Sequence, residues 1–246
     1  MMAYPDERKQ TSSVLPLTPQ AVSIHKEILM LLKTLEEGSF SSCLDEGFVS
    51  TLKEVHRLFD IFQKEVLNNS ELKCCCRETC ATCCYHWVED VNSFEAEIIA
   101  DYIHTIMPGE VKRIIETCRS DCLELERLND LVQKRLLETG DDGEQIDEID
   151  LLLSVYYQMK RPCPLLDRNN RCSIYAVRPL TCRIYINLSN PSCCDPECIN
   201  DSGMNTYLLD LEEDANQILD RLHFKYMKFE GDTGLRSLIP RYLENM

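Results

Sequence analysis

Two cysteine-bearing stretches carry the chemistry that this sequence can do. The first runs Cys74-Cys75-Cys76-Arg77-Glu78-Thr79-Cys80-Ala81-Thr82-Cys83-Cys84. The second supplies Cys163, Cys172 and Cys182 around Pro164, Arg178, Pro179 and Arg183. Thiolates are soft ligands that select zinc, copper(I) or iron–sulfur clusters. A helix through residues 76–84 would put Cys76, Cys80 and Cys83 within about 40° of one line and Cys84 about 80° round. One or two cysteines at such spacing would read as small buried hydrophobes. Four, with two more just upstream, point to a metal site. A single helix blocks one side of any ion, so a closed four-ligand shell needs ligands from elsewhere, which Cys163, Cys172 and Cys182 offer; these seven candidates either overfill one site or nearly fill two. Cys193, Cys194 and Cys198 form a third group, from which Cys194 and Cys198 are candidate ligands. Only Cys80 and Cys83 make a tidy C-x₂-C pair, so crowding favours an iron–sulfur cluster over zinc, with Zn²⁺ the alternative.

Cys76-x₃-Cys80-x₂-Cys83-Cys84, Cys163-Pro164-Leu165-Leu166-Asp167 and Cys172-Ser173-Ile174-Tyr175-x₂-Arg178-Pro179-x₂-Cys182-Arg183 together resemble the CxxCxxCC cysteine-cluster family. That family, also called YkgJ-like, is a zinc- or iron-chelating domain family. Phe94-Glu95-Ala96 and Ile99-Ala100 extend the resemblance, which spans about residues 76–185. It implies metal binding by Cys76, Cys80, Cys83, Cys84, Cys163, Cys172 and Cys182. Ala81 stands where a Gly is common in the family. The first spacing is x₃ where x₂ is common, which makes Cys75 an alternate for Cys76. Flagellin lysine methylases carry a related cysteine pattern, so methyl transfer, or Fe–S redox chemistry, is the alternative function by analogy.

Arg178 and Arg183 flank the last motif cysteine, where they could donate to sulfur or offset thiolate charge at a bound cofactor. The competing reading is an ion pair with a carboxylate. Pro179 is expected to fix the turn that aims Cys182. His86 reads as a structural histidine, and Tyr175 and Tyr185 as packing. Cys43, Cys118 and Cys122 lie away from the motifs, and the i, i+4 pair Cys118/Cys122 reads as core.

The elements that must hold these residues are mostly helical. Thr18-Pro19 reads as N-cap and first turn of a helix that ends at Gly38. A second amphipathic helix is expected over residues 48–67. Asn92 and Glu95 form a capping-box pattern that opens a third, which Pro108-Gly109 breaks. A long helix over residues 110–138 follows, then an acidic linker from Gly140, then a helix ending before Pro162. Residues 163–198 lose the helical period; short β segments are expected near 172–175 and 182–188, with a turn at Asp167–Arg171. A last long helix is expected from Asn205 to Phe229, and a short one over 235–243. The expected class is mainly α: residues 1–17 as an arm, and 18–246 as one helical domain with an irregular Cys-rich metal-binding lobe, its core at about 74–198.

Composition narrows the partners. Fifteen cysteines in 246 residues fall below the ~8–10 % density of disulfide scaffolds. The start has no apolar signal region and no stretch reads as a membrane helix, so a cytoplasmic location without disulfides is expected. The formal net charge of −16 argues against nucleic acid or an anionic membrane. A metal ion or cluster is the expected partner, with a protein partner open. No P-loop, GxGxxG, HExxH or GxSxG pattern occurs.

Overall fold

Thr18 begins the first helix as its chemistry predicts: its hydroxyl accepts the Ala21 N–H at 3.0 Å, and Pro19 occupies the first turn. The computed structural model describes residues 17–68, 76, 80–139, 148–187, 206–208 and 211–246. The helices are α1 (Pro19–Glu37), α2 (Glu46–Asn68), α3 (Ser93–Ile106), α4 (Val111–Thr139), α5 (Glu148–Gln158), α6 (Thr181–Ile184), α7 (Glu213–Tyr226) and α8 (Leu235–Glu244). Among the described residues, none is long and apolar enough to cross a membrane. The protein is mainly α, as expected.

Helices α1 and α2 pack as a hairpin, with α7 laid against α1 and α3. Their apolar stripes meet in one core that includes Ile28, Leu32, Leu35, Phe48, Phe59, Phe94 and Ile103. Helix α3 runs through the middle, with every residue from Ser93 to Ala100 buried. That burial includes two carboxylates. Glu97 is matched by Lys228 at 2.6 Å. Glu95 accepts from three separate groups, described below. Helix α8 packs on both α3 and α4, and α5 packs on α4.

Gly38 ends α1, as expected, with its backbone at φ −67°. Three local expectations need correction. Asn92 is the N-cap of α3 but makes no side-chain cap bond, because its amide donates to Glu95 instead. Residues 172–175 do not form a strand; one bridge joins Leu166 to Cys172, and Tyr175–Val177 is a 3₁₀ turn. Helix α7 starts at Glu213, because residues 206–208 pair as a short strand, β2, with β1 (Tyr185–Asn187). The β segment expected over 182–188 thus begins at Tyr185, after the single turn of α6. The expected linker at 140–143 lies outside the described residues.

Candidate metal centre

The first cysteine stretch does not form the single helix supposed from its spacing. Cys80 and Ala81 lie outside any helix or strand, and Thr82–Tyr85 make one 3₁₀ turn, closed by the Cys84 N–H donating to the Ala81 carbonyl at 2.9 Å. A 3₁₀ turn with Ala81 at φ −113° breaks the helical register, so the motif cysteines do not share one helical face. Cys83 and Cys84 instead sit side by side in a tight turn.

The second stretch is folded around its own backbone. Asp167 accepts through Oδ1 from the N–H groups of Asn169 and Arg171, both at 2.8 Å, with Asn170 left-handed at φ 58°. That is the turn its sequence predicts. Ser173 returns to the Leu165 carbonyl through both its N–H, at 2.9 Å, and its hydroxyl, at 2.8 Å. This brings Cys163 and Cys172 onto one lobe. The Cys182 N–H donates to the Pro179 carbonyl at 3.1 Å, so Pro179 does set the turn before Cys182.

Two helices hold the Cys182 turn from outside. Glu95 of α3 accepts the Leu180 N–H at 2.8 Å and pairs with His56 of α2 at 3.2 Å. Gln63 of α2 donates to the Arg183 carbonyl at 2.8 Å. Arg183 is buried; its guanidinium reaches both Asp60 oxygens, at 2.8 and 2.9 Å, and the carbonyls of Arg178 and Tyr175. Arg183 is therefore a structural ion pair that shapes the loop, with the Tyr175 ring 5.5 Å from its cation.

The two stretches meet where the Cys163 N–H donates to the Cys84 carbonyl at 2.8 Å. Around this contact Cys163 lies within electrostatic range of four other half-buried thiols: Cys83, Cys84, Cys172 and Cys182. Cys83 is held below the ordinary thiol value by the hydrogen bond from Cys84, against burial, with the Arg178 charge adding to the effect. Cys84, as the donor, is pushed up by that bond and by burial. Burial pushes Cys182 up to about 12, with Arg178 opposing, and burial likewise raises Cys163 and Cys172. Arg178 donates to the Cys182 carbonyl and acts electrostatically on Cys83, Cys84, Cys172 and Cys182. It supplies the positive charge that crowded thiolates require.

Not every predicted residue joins this group. Cys76 lies exposed. Cys80 is half-buried, its Sγ 3.7 Å from the Thr82 hydroxyl. Cys194 and Cys198, with Cys74, Cys75 and Cys193, lie outside the described residues. His86 stacks on Tyr157 with centroids 3.8 Å apart and 13° between planes. Burial, with the nearby Arg236 charge, lowers its pKa to about 4, so the ring is neutral. Cys118 is core, as expected, yet less remote than its place in α4 suggested: burial raises its thiol, and the Cys163 charge adds to that. Sequence reasoning missed Arg236 and the role of Glu95. Neither stands at motif spacing from a cysteine, so no local signal could have revealed them.

The donor chemistry fits a soft metal: thiols from two segments, the charges of Arg178 and Arg236 beside them, and free rather than disulfide-bonded sulfurs. As they stand, however, no three Cys, His, Asp or Glu side chains among the described residues form a group that could hold an ion. The thiols are gathered without being closed into a coordination shell.

Comparison with known proteins gives one match. The model of the CxxCxxCC family, described as a putative zinc- or iron-chelating domain, matches residues 75–205, more than half of the chain. No curated protein and no solved structure matches.

Proposed function

We propose, from the premise that the chain belongs to the CxxCxxCC family of zinc- or iron-chelating domains, that Cys83, Cys84, Cys163, Cys172 and Cys182 provide the ligands of one metal–thiolate centre. The observation that carries this reading is the Cys163 N–H to Cys84 carbonyl bond that joins the two stretches, with the other three thiols and Arg178 within electrostatic range of this pair. Cys76, Cys80, Cys194 and Cys198 are the candidates to complete the shell, or a second one. A shell closed by residues from both stretches links the lobe to the helices, so residues 18–246 act as one unit around the core at about 74–198.

An iron–sulfur cluster is the preferred occupant over zinc. A vicinal Cys83–Cys84 pair in a crowded thiolate set departs from the paired C-x₂₋₄-C knuckles of structural zinc sites. A bound cluster would supply one-electron transfer, whereas zinc would supply a structural cross-link. The chain's own part in either case is to position the sulfurs and offset their charge when the metal binds. The hydrogen bond from Cys84, with the Arg178 charge, favours the Cys83 thiolate, and the Cys182 turn is fixed by Glu95, Gln63 and the Arg183–Asp60 pair.

The test is anaerobic purification of the full chain, followed by analysis for iron, zinc and acid-labile sulfide and by a visible spectrum. Iron with matching sulfide and a brown chromophore is the expected result. Stoichiometric zinc in colourless protein would keep the metal centre and overturn the preference for iron. A folded protein that takes up neither metal would overturn the whole reading.

A further inference from the structure

Helix α8 begins well beyond residues 75–205, the span matched by the family, yet it places one side chain against both cysteine stretches. Arg236 is fully buried, at 0 % exposure. Its Nη1 donates to the His86 carbonyl at 2.8 Å, two residues after Cys84. Its Nη2 reaches the Arg161 carbonyl at 3.4 Å, two residues before Cys163. Its Nε pairs with Asp121 of α4 at 2.9 Å. The other oxygen of Asp121 takes Arg161 Nε at 2.6 Å. The Trp87 and Tyr156 rings pack beside the guanidinium, with centroids 5.6 and 5.5 Å from its central carbon. All three nitrogens of one planar cation are therefore in use.

We infer that Arg236 is a positioning residue for the metal centre, clamping the Cys84 and Cys163 segments together from the C-terminal helix. The inference rests on the metal-centre reading above. The physical argument is one of shape. Two carbonyls on different segments and a carboxylate on a third must be met by donors fixed in one plane, which a guanidinium has and an ammonium lacks. The clamp lies beside the Cys163 N–H to Cys84 carbonyl bond, so it holds the joint between the two stretches rather than either stretch alone. The charge adds to the effect, because Arg236 acts electrostatically on Cys163. Asp121 is shared with Arg161, so the three groups together leave one positive charge on this side of the thiols, opposite in origin to that of Arg178. The centre is thus built from parts on both sides of the family's matched span, and α8 belongs to it.

The full chain carrying Arg236→Lys tests geometry against charge. The double variant Asp121→Asn with Arg236→Gln removes the clamp without leaving Asp121 as an unpaired buried charge. Two readouts apply to each. Zinc affinity, from competition against a chromophoric chelator, is expected to fall about 10–100-fold in both, the range typical of groups that orient ligands. In metal-stripped protein, alkylation by iodoacetamide is expected to speed up at Cys84 and Cys163 and not at Cys43, which is buried in the main core. A Leu222→Ala variant, which loosens that core on α7, the helix packed on α1 and α3, is expected to keep wild-type zinc affinity. Full zinc affinity in the Lys variant, or acceleration at Cys43 equal to that at Cys84 and Cys163, would overturn the inference. Wild-type protein that binds no metal would overturn the metal reading instead, while the alkylation pattern would still decide whether the clamp exists.

Discussion

The Cys163 N–H donates to the Cys84 carbonyl oxygen at 2.8 Å, joining two cysteine stretches separated by the whole of α3, α4 and α5. Nothing local to either stretch requires this bond. It exists because α4 carries the chain out and α5 packs back along it, returning residue 163 to the turn at residues 82–85.

The first prediction concerns that joint. Cys163→Ser replaces a soft thiolate at its centre by a hard hydroxyl that remains protonated at neutral pH. Protein purified with this substitution is expected to lose most of its bound metal. Cys43→Ser, in the main core, is expected to retain it. Metal content after desalting separates the two, and equal loss in both would argue against a centre at the joint.

Glu95 gives a pH dependence. Burial alone would raise its pKa, but hydrogen bonds from His56, Asn92 and the Leu180 N–H outweigh it and leave the carboxyl lowered. The group is ionised more readily folded than unfolded, so its contribution to stability is present above the unfolded value of ~4.3 and lost as pH falls through the lower folded value. Denaturant midpoints measured from pH 7 downward are expected to drop below about pH 4.5. Glu95→Gln should be less stable at pH 7 and flatter across that range. A variant with the same acid limb as the wild type would remove Glu95 from the account.

Arg183 tests how the Cys182 turn is held. Arg183→Met keeps much of the volume but removes the donors to Asp60, to the Arg178 carbonyl and to the Tyr175 carbonyl. A loss of about 2–3 kcal/mol in urea unfolding is expected, the scale of hydrogen bonds to a charged group. Because Asp60 remains partly open to water, the loss should fall short of that for a fully buried pair.

Gly38 has a steric role in place of a conformational one. A Cβ there would overlap the Phe40 ring and stand 2.8 Å from the Thr34 carbonyl oxygen. Phe40 is itself seated edge-on against Phe48, at 5.4 Å between centroids. Gly38→Ala is expected to cost ~1–3 kcal/mol, the range for overpacking. Thermal or urea denaturation would read this directly, and a neutral result would mean that the ring moves freely.

Much of this molecule is legible in the sequence. Periodic apolar residues, Thr18-Pro19 and Pro108-Gly109 determine where α1 to α4 begin and end, because those signals act within a turn or two of chain. The turn at Asp167–Arg171 is written locally too, in an aspartate that caps its own loop. So is the ligand chemistry, since thiol softness belongs to the residue type. Tertiary structure decided the rest. Asn92 and Glu95 read as a capping box, but the carboxylate is taken by His56 and Leu180 N–H from elements distant in the chain. In place of the helical face supposed for residues 76–84, the described residues 82–85 form a 3₁₀ turn that docks on residue 163. Arg236, on a helix with no motif of its own, became the neighbour of both stretches. Each of these is a long-range choice among buried polar groups that must all find partners. Spacing records which groups the chain carries; only packing determines which of them meet.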